Sequence, residues 1–169
     1  MNRSLTLRPS ISKAAKRPVC IGILTLDAKL HRFPGDMGNP STFNFPVRYK
    51  VVLGATPDRV VIQSDPTLLQ SFIQAARELE AEHVSAIATT CGFLAMFQKE
   101  MSGALRVPVF TSSLLQVPWV RRMLNPDQKI AILTANKQSL KERHFRAVGL
   151  EDMRGLLIGG LENEPVWKK

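Results

Sequence analysis

The sequence predicts an α/β fold built on a parallel sheet, a Rossmann-like lobe followed by the start of a second. Three observations carry this. Short continuous apolar runs alternate with helical patterns along the chain, the order expected when helices cover both faces of a parallel sheet. Hydroxyl residues end several of these runs, at Thr25, Thr89-Thr90-Cys91 and Thr111-Ser112-Ser113. A strand pattern also recurs: Ile21-Gly22-Ile23-Leu24-Thr25-Leu26-Asp27 matches Ile130-Ala131-Ile132-Leu133-Thr134-Ala135-Asn136.

Taken in order, Val19 to Thr25 follows Pro18 as an apolar strand buried on both faces. Asp27 to Pro46 is a loop of about twenty residues, longer than a plain connection needs. Its centre, Pro34-Gly35-Asp36-Met37-Gly38-Asn39-Pro40, is too rich in glycine and proline for a helix. Val47 to Leu53 alternates as a strand, and Val60-Val61-Ile62 reads as a further short strand. Asp65-Pro66 opens a helix, the aspartate capping it and the proline in its first turn. Leu68, Leu69, Phe72, Ile73, Ala76 and Leu79 form its apolar face. Val84 to Thr89 is a strand, and a helix follows from about Phe93 to Gly103. Val107 to Thr111 is the next strand, and a helix from about Ser113 to Leu124 is kinked or broken at Pro118. Lys129 to Thr134 is a strand, Gln138 to Val148 a helix closed by Gly149, and Leu156 to Ile158 a last strand. The expected division is a basic leader over 1–17, a first lobe over 18–118 and an incomplete second lobe over 119–169.

The net charge of +9 is unevenly placed. Arg3, Arg8, Lys13, Lys16 and Arg17 supply five charges and Lys168 and Lys169 two more, which leaves +2 on the body. No basic stripe interleaved with aromatics runs through that body, so nucleic acid is not the expected partner. No apolar run is long enough to span a bilayer. The two cysteines, Cys20 and Cys91, have neither disulfide-framework nor metal-ligand spacing, and a cytoplasmic location is expected.

Cys91 sits where a strand hands over to a helix. Unpaired backbone N–H groups and the positive end of the helix converge there, and both favour a thiolate. Locally, a reactive thiol and a buried core cysteine remain open. Ligands in parallel α/β folds bind beyond the carboxyl ends of the strands, where Thr25, Thr90 and Ser112 also gather, and this favours the reactive reading. Cys20 lies at the far end of its strand and is expected to be structural. His31 could reach the cleft from the loop. His83 is at the wrong end of its strand, and His144 is expected on a helix surface.

Ile23-Leu24-Thr25, the 34–40 loop with Phe45-Pro46-Val47-Arg48-Tyr49, the corner Ala88-Thr89-Thr90-Cys91-Gly92-Phe93 and Pro108-Val109-Phe110-Thr111-Ser112-Ser113 are similar to the aspartate/glutamate racemase superfamily. That superfamily includes hydantoin racemases, maleate isomerases and arylmalonate decarboxylases. The resemblance runs from about Val19 to Trp167. It implies two pseudo-symmetric lobes, an active site between them, one cysteine from each, and no cofactor. One thiolate removes a proton from the carbon next to a carboxylate, and the second thiol delivers one to the opposite face. Carried onto this chain, Cys91 is the first-lobe catalytic cysteine. Gly92 and Phe93 offer backbone donors to the carboxylate, Thr90, Thr134 and Asn136 are polar neighbours, and Asp36, Met37 and Gly38 border the cleft.

The second-lobe cysteine is absent. By the repeat it would fall about 66 residues after Thr134, beyond Lys169. The expectation is therefore an amino-acid racemase or isomerase on a small carboxylate, with exchange but no inversion in this chain. A non-catalytic carboxylate-binding or assembly module is the alternative, with exposed strand edges favouring a homo-oligomer. A thiol hydrolase would need a base beside Cys91, and the sequence supplies none that convinces.

Overall fold

The computed structural model describes residues 18–164, so the expected basic leader and the last five residues lie outside it. Four strands form one parallel sheet: β1 (Ile21–Leu26), β2 (Val47–Val52), β3 (Ala86–Thr89) and β4 (Val109–Phe110), in the order β2-β1-β3-β4. β5 (Ile130–Thr134) and β6 (Leu156–Gly160) form a second, two-stranded parallel sheet. Four α-helices accompany them: α1 (Leu69–Ala81), α2 (Gln98–Ala104), α3 (Val117–Met123) and α4 (Glu142–Arg146). The α/β class and the parallel sheet are as the sequence predicts.

The recurring strand pattern has a structural counterpart. Ile21 of β1 pairs with Val47, and Ile130 of β5 pairs with Leu156. Both partners lie 26 residues on, so the two copies open on the same parallel pairing at the same offset.

β1 is buried on both faces, whereas β5 and β6 alternate and leave Leu133 and Leu157 exposed. Ile23, Leu24 and Ile87 are fully buried, and Phe72, Ala76 and Leu79 of α1 pack in the same core. Asp65 caps the 3-10 turn Pro66–Leu68 that leads into α1: its carboxylate accepts from the Thr67 N–H at 2.9 Å and from Arg59 at 2.6 Å. A second core gathers Leu114, Val117, Phe145, Val148 and Leu150. The 3-10 helix Gly92–Phe97 lies between the two, giving Phe93, Leu94 and Phe97 to the first and Ala95 to the second. The segment just after Cys91 is thus clamped from both sides.

Several elements differ from expectation. Val60-Val61-Ile62 is not a strand but part of a wide helical turn, Asp58–Gln63. Arg59 draws that segment into a turn by reaching back to the Gly54 carbonyl (2.9 Å) and forward to Asp65. The helix after Cys91 is 3-10 through Phe97 and becomes α2 only from Gln98. The segment expected as one helix over 113–124 is divided just before Pro118, into a 3-10 helix, Ser113–Gln116, and α3. Pro118 falls in the first turn of α3, where its missing N–H is not needed. The helix expected over 138–148 shrinks to α4 because the Asn136 side chain accepts from the Ser139 N–H (2.9 Å), a local turn that competes with helix. Gly149 ends the segment with φ +81°, a conformation that favours glycine.

Candidate active site

The corner after β3 is held by strand-end hydroxyls. Thr89 donates to the Thr111 carbonyl at 2.7 Å and is within 3.2 Å of the Cys91 carbonyl. Gln98 fixes the end of β4, its amide oxygen accepting from the Thr111 N–H (3.0 Å) and hydroxyl (2.7 Å), its amide nitrogen donating to Val109 (2.9 Å). Ser112 caps the next turn through the Leu114 N–H (3.2 Å). Cys91 itself is extended, at φ −128° and ψ 111°, and immediately precedes the 3-10 helix. The hydroxyls expected to mark a binding edge therefore also build it.

A cavity of about 290 Å³ opens there. Leu26 at the end of β1, Thr90, Cys91, Gly92 and Phe93 after β3, Ser112 and Ser113 after β4, and Thr134 at the end of β5 all line it. Leu30, Pro57, Val61 and Leu140 make much of the rest apolar. Five of the expected site residues, Thr90, Cys91, Gly92, Phe93 and Thr134, are thus brought to one cavity at the carboxyl ends of the strands.

Asp36, Met37, Gly38 and Asn136 are not among its lining. Asn136 is spent on its turn with Ser139. Asp36 binds Arg32, and the Met37 carbonyl accepts from the Tyr49 hydroxyl (2.9 Å). Asp36 and Gly38 stand behind Arg32, which does line the cavity and which the sequence reading missed. The sequence signal for Arg32 was slight: a lone arginine four residues before an aspartate in a loop.

The electrostatics reverse one expectation. The corner was expected to favour a thiolate, yet burial pushes the Cys91 thiol up to about 11. The Phe93 N–H, the Arg32 guanidinium and the Leu94 N–H pull the other way without overcoming it. The Phe93 N–H thus serves the sulfur, where it was expected to serve a carboxylate. The Thr90 hydroxyl is buried with no hydrogen-bond partner among the described residues.

The histidines divide differently from expectation. His144 is fully buried, not on a surface. Its ring stands edge-on to Phe93 with centroids 5.5 Å apart, its Nδ1 accepts from the Lys141 N–H (3.0 Å), and its Nε2 has no partner among the described residues. His31 stands edge-on to Phe33 and does not line the cavity. His83 leaves α1 with φ 63°. Cys20 sits at the start of β1, its carbonyl accepting from the Ser85 N–H at 2.6 Å, and packs on the first core. Among the described residues no three His, Cys, Asp or Glu side chains group to hold a metal, and no helix is long and apolar enough to cross a membrane.

Comparisons with known proteins separate fold from chemistry. No family model matches the chain. It is 39% identical over 128 residues to a dimethylsulfoniopropionate lyase of Durusdinium sp. clade D, covering 73% of this chain and 42% of that protein. It is 33% identical over 167 residues to dimethylsulfoniopropionate lyase 7 of Emiliania huxleyi, covering 87% of this chain and 49% of that protein. The chain thus spans about half the length, or less, of these curated relatives. Among solved structures it resembles a glutamate racemase from Aquifex pyrophilus, with TM-score 0.54, 17% identity, and 84% of this chain and 55% of that one covered. It resembles a mutant of arylmalonate decarboxylase equally, with TM-score 0.54, 18% identity, and 84% and 62% covered. The expectation of a racemase is overturned by the sequence relatives, which are named lyases. The architecture stands: this chain has the α/β fold of the aspartate/glutamate racemase superfamily.

Proposed function

We propose that the chain carries the thiol side of a lyase site that eliminates a sulfide from a small sulfonio-carboxylate, dimethylsulfoniopropionate being the substrate in the relatives' names. The observation that carries this reading is the 39% identity to such a lyase across 128 residues. The cavity at Cys91 supplies a chemistry that fits it.

The Cys91 thiolate takes a proton from the carbon next to the carboxylate. The released electron pair forms the carbon–carbon double bond as the β-carbon–sulfur bond breaks. Dimethyl sulfide leaves neutral, acrylate remains, and the proton stays on the Cys91 sulfur until water removes it. Inversion of a centre needs an acid and a base on opposite faces. Elimination needs only one proton transfer, and Cys91 is the cysteine that lines the cavity. The apolar wall of Leu26, Leu30 and Val61 suits the methyl groups and the neutral leaving group. The substrate's sulfonium also favours the thiolate it approaches, which offsets part of the burial that keeps the free thiol protonated.

The test is headspace detection of dimethyl sulfide from the chain and its Cys91→Ala variant, with deuterium uptake at the carbon next to the carboxylate followed in parallel. The expected result is release and uptake that fall about a hundredfold or more without the thiol. Release that survives Cys91→Ala undiminished overturns the reading. A chain that gives neither release nor uptake overturns it for these 169 residues acting alone.

A further inference from the structure

Arg32 is the strongest feature of the cavity wall that the proton transfer does not use. Its side chain is only 23% exposed, and a guanidinium drawn that far from water needs partners. It has one. Nη1 alone meets Asp36, 3.2 Å from one carboxylate oxygen and 3.1 Å from the other. Nε and Nη2 make no hydrogen bond among the described residues, on a residue that lines the cavity with Cys91. One edge of the planar group is thus fixed, and two donors remain to be filled.

The surrounding loop is built to hold the guanidinium still. A β-carbon on Gly38 would lie 2.8 Å from Arg32 Nε, 2.9 Å from Cδ and 3.0 Å from Cζ, so the arginine lies flat against bare backbone. Asp36 is itself oriented by the Gly38 N–H (2.5 Å). Asn39 donates to the Arg32 carbonyl at 2.7 Å, and Thr42 donates to the Asp36 carbonyl at 2.6 Å. Tyr49 of β2 ties the loop to the sheet through Met37.

We propose that Arg32 binds the carboxylate of the ligand in the Cys91 cavity, with Asp36 and Gly38 as the residues that position it. A fixed guanidinium with two free donors matches a carboxylate in geometry and charge. Asp36 offsets part of the positive charge of the guanidinium. The apolar remainder of the wall then accepts the other end of a short ligand, so the cavity selects small carboxylates with a non-acidic tail. This deepens the lyase reading and rests on it only for what that tail is.

The test is titration of the chain with propionate, and with propionamide as an uncharged match in shape, followed by amide chemical shifts of the isotope-labelled protein. Propionate is expected to bind about tenfold or more tightly than propionamide. Arg32→Met is expected to abolish that preference, and Arg32→Lys to restore part of it. Gly38→Ala, which pushes the guanidinium aside, is expected to weaken propionate and leave propionamide unchanged, a split that general loosening of the loop would not produce. Circular dichroism checks that each variant is folded. Equal binding of propionate by wild type and Arg32→Met overturns the proposal, as does a wild-type chain that does not bind propionate. Sulfide release measured on the same samples separates the two readings. Arg32-dependent propionate binding without release leaves the anchor standing and removes the lyase. Release that is the same in wild type and Arg32→Met, with propionate affinity also unchanged, removes the anchor and leaves the lyase.

Discussion

The Thr89 hydroxyl donates to the Thr111 carbonyl across 2.7 Å, and both residues are buried. This single bond joins the ends of β3 and β4, the two strands that deliver Cys91 and Ser112 to the cavity. Thr89→Val keeps the shape and removes the donor, leaving a buried carbonyl unpaired. The expected cost is about 1–3 kcal/mol, read as a lower urea midpoint with an unchanged slope. An unchanged midpoint would show that the strand ends are held without this bond.

Cys91 is expected to behave as a protonated thiol at neutral pH. Its pKa is pushed up to about 11 by burial, and nearby positive charge and backbone donors limit the rise. In a Cys20→Ser background, where Cys91 is the remaining thiol, its alkylation by iodoacetamide should still be accelerating above pH 10. Removing the Arg32 guanidinium should shift the rise to higher pH, since that charge favours the thiolate. A rate that levels off by about pH 8 would place a thiolate at this corner after all.

His144 makes stability fall with acid. Burial lowers its pKa from the ordinary 6.5, so the unfolded chain binds this proton more readily than the folded one. Its contribution is therefore fully present above about pH 6.5 and is lost as pH falls below that value toward the lower folded pKa. His144→Leu removes the titrating group, with its unpartnered Nε2, and also the Nδ1 acceptor for the Lys141 N–H. The variant should show a smaller stability difference between about pH 7.5 and about pH 5.5 than the wild type. Equal differences in the two proteins would remove His144 as the source.

The α/β class, the parallel sheet, the Asp65-Pro66 helix start and the placing of Cys91 beside strand-end hydroxyls could all be read from the residues. Each depends on local pattern: continuous apolar runs, a capping aspartate, hydroxyls where a run ends. What only the tertiary structure decided depends on neighbours distant in sequence. Val60-Val61-Ile62 is apolar enough for a strand, but Arg59 and its partners fold it into a turn. His144 lies beneath Phe93 because a second core forms around α4, which no helical pattern reveals. The pKa of Cys91 turns on the balance between burial and two backbone donors, and burial is a property of the packed molecule. Arg32 reaches the cavity because Gly38 leaves room for it and Asp36 holds it, whereas the sequence reading put the loop's own glycine and aspartate at the cleft. The reaction class is a further step removed. Solved structures of this α/β fold include a racemase and a decarboxylase, whereas the sequence relatives are named lyases, so the fold by itself does not determine which bond breaks.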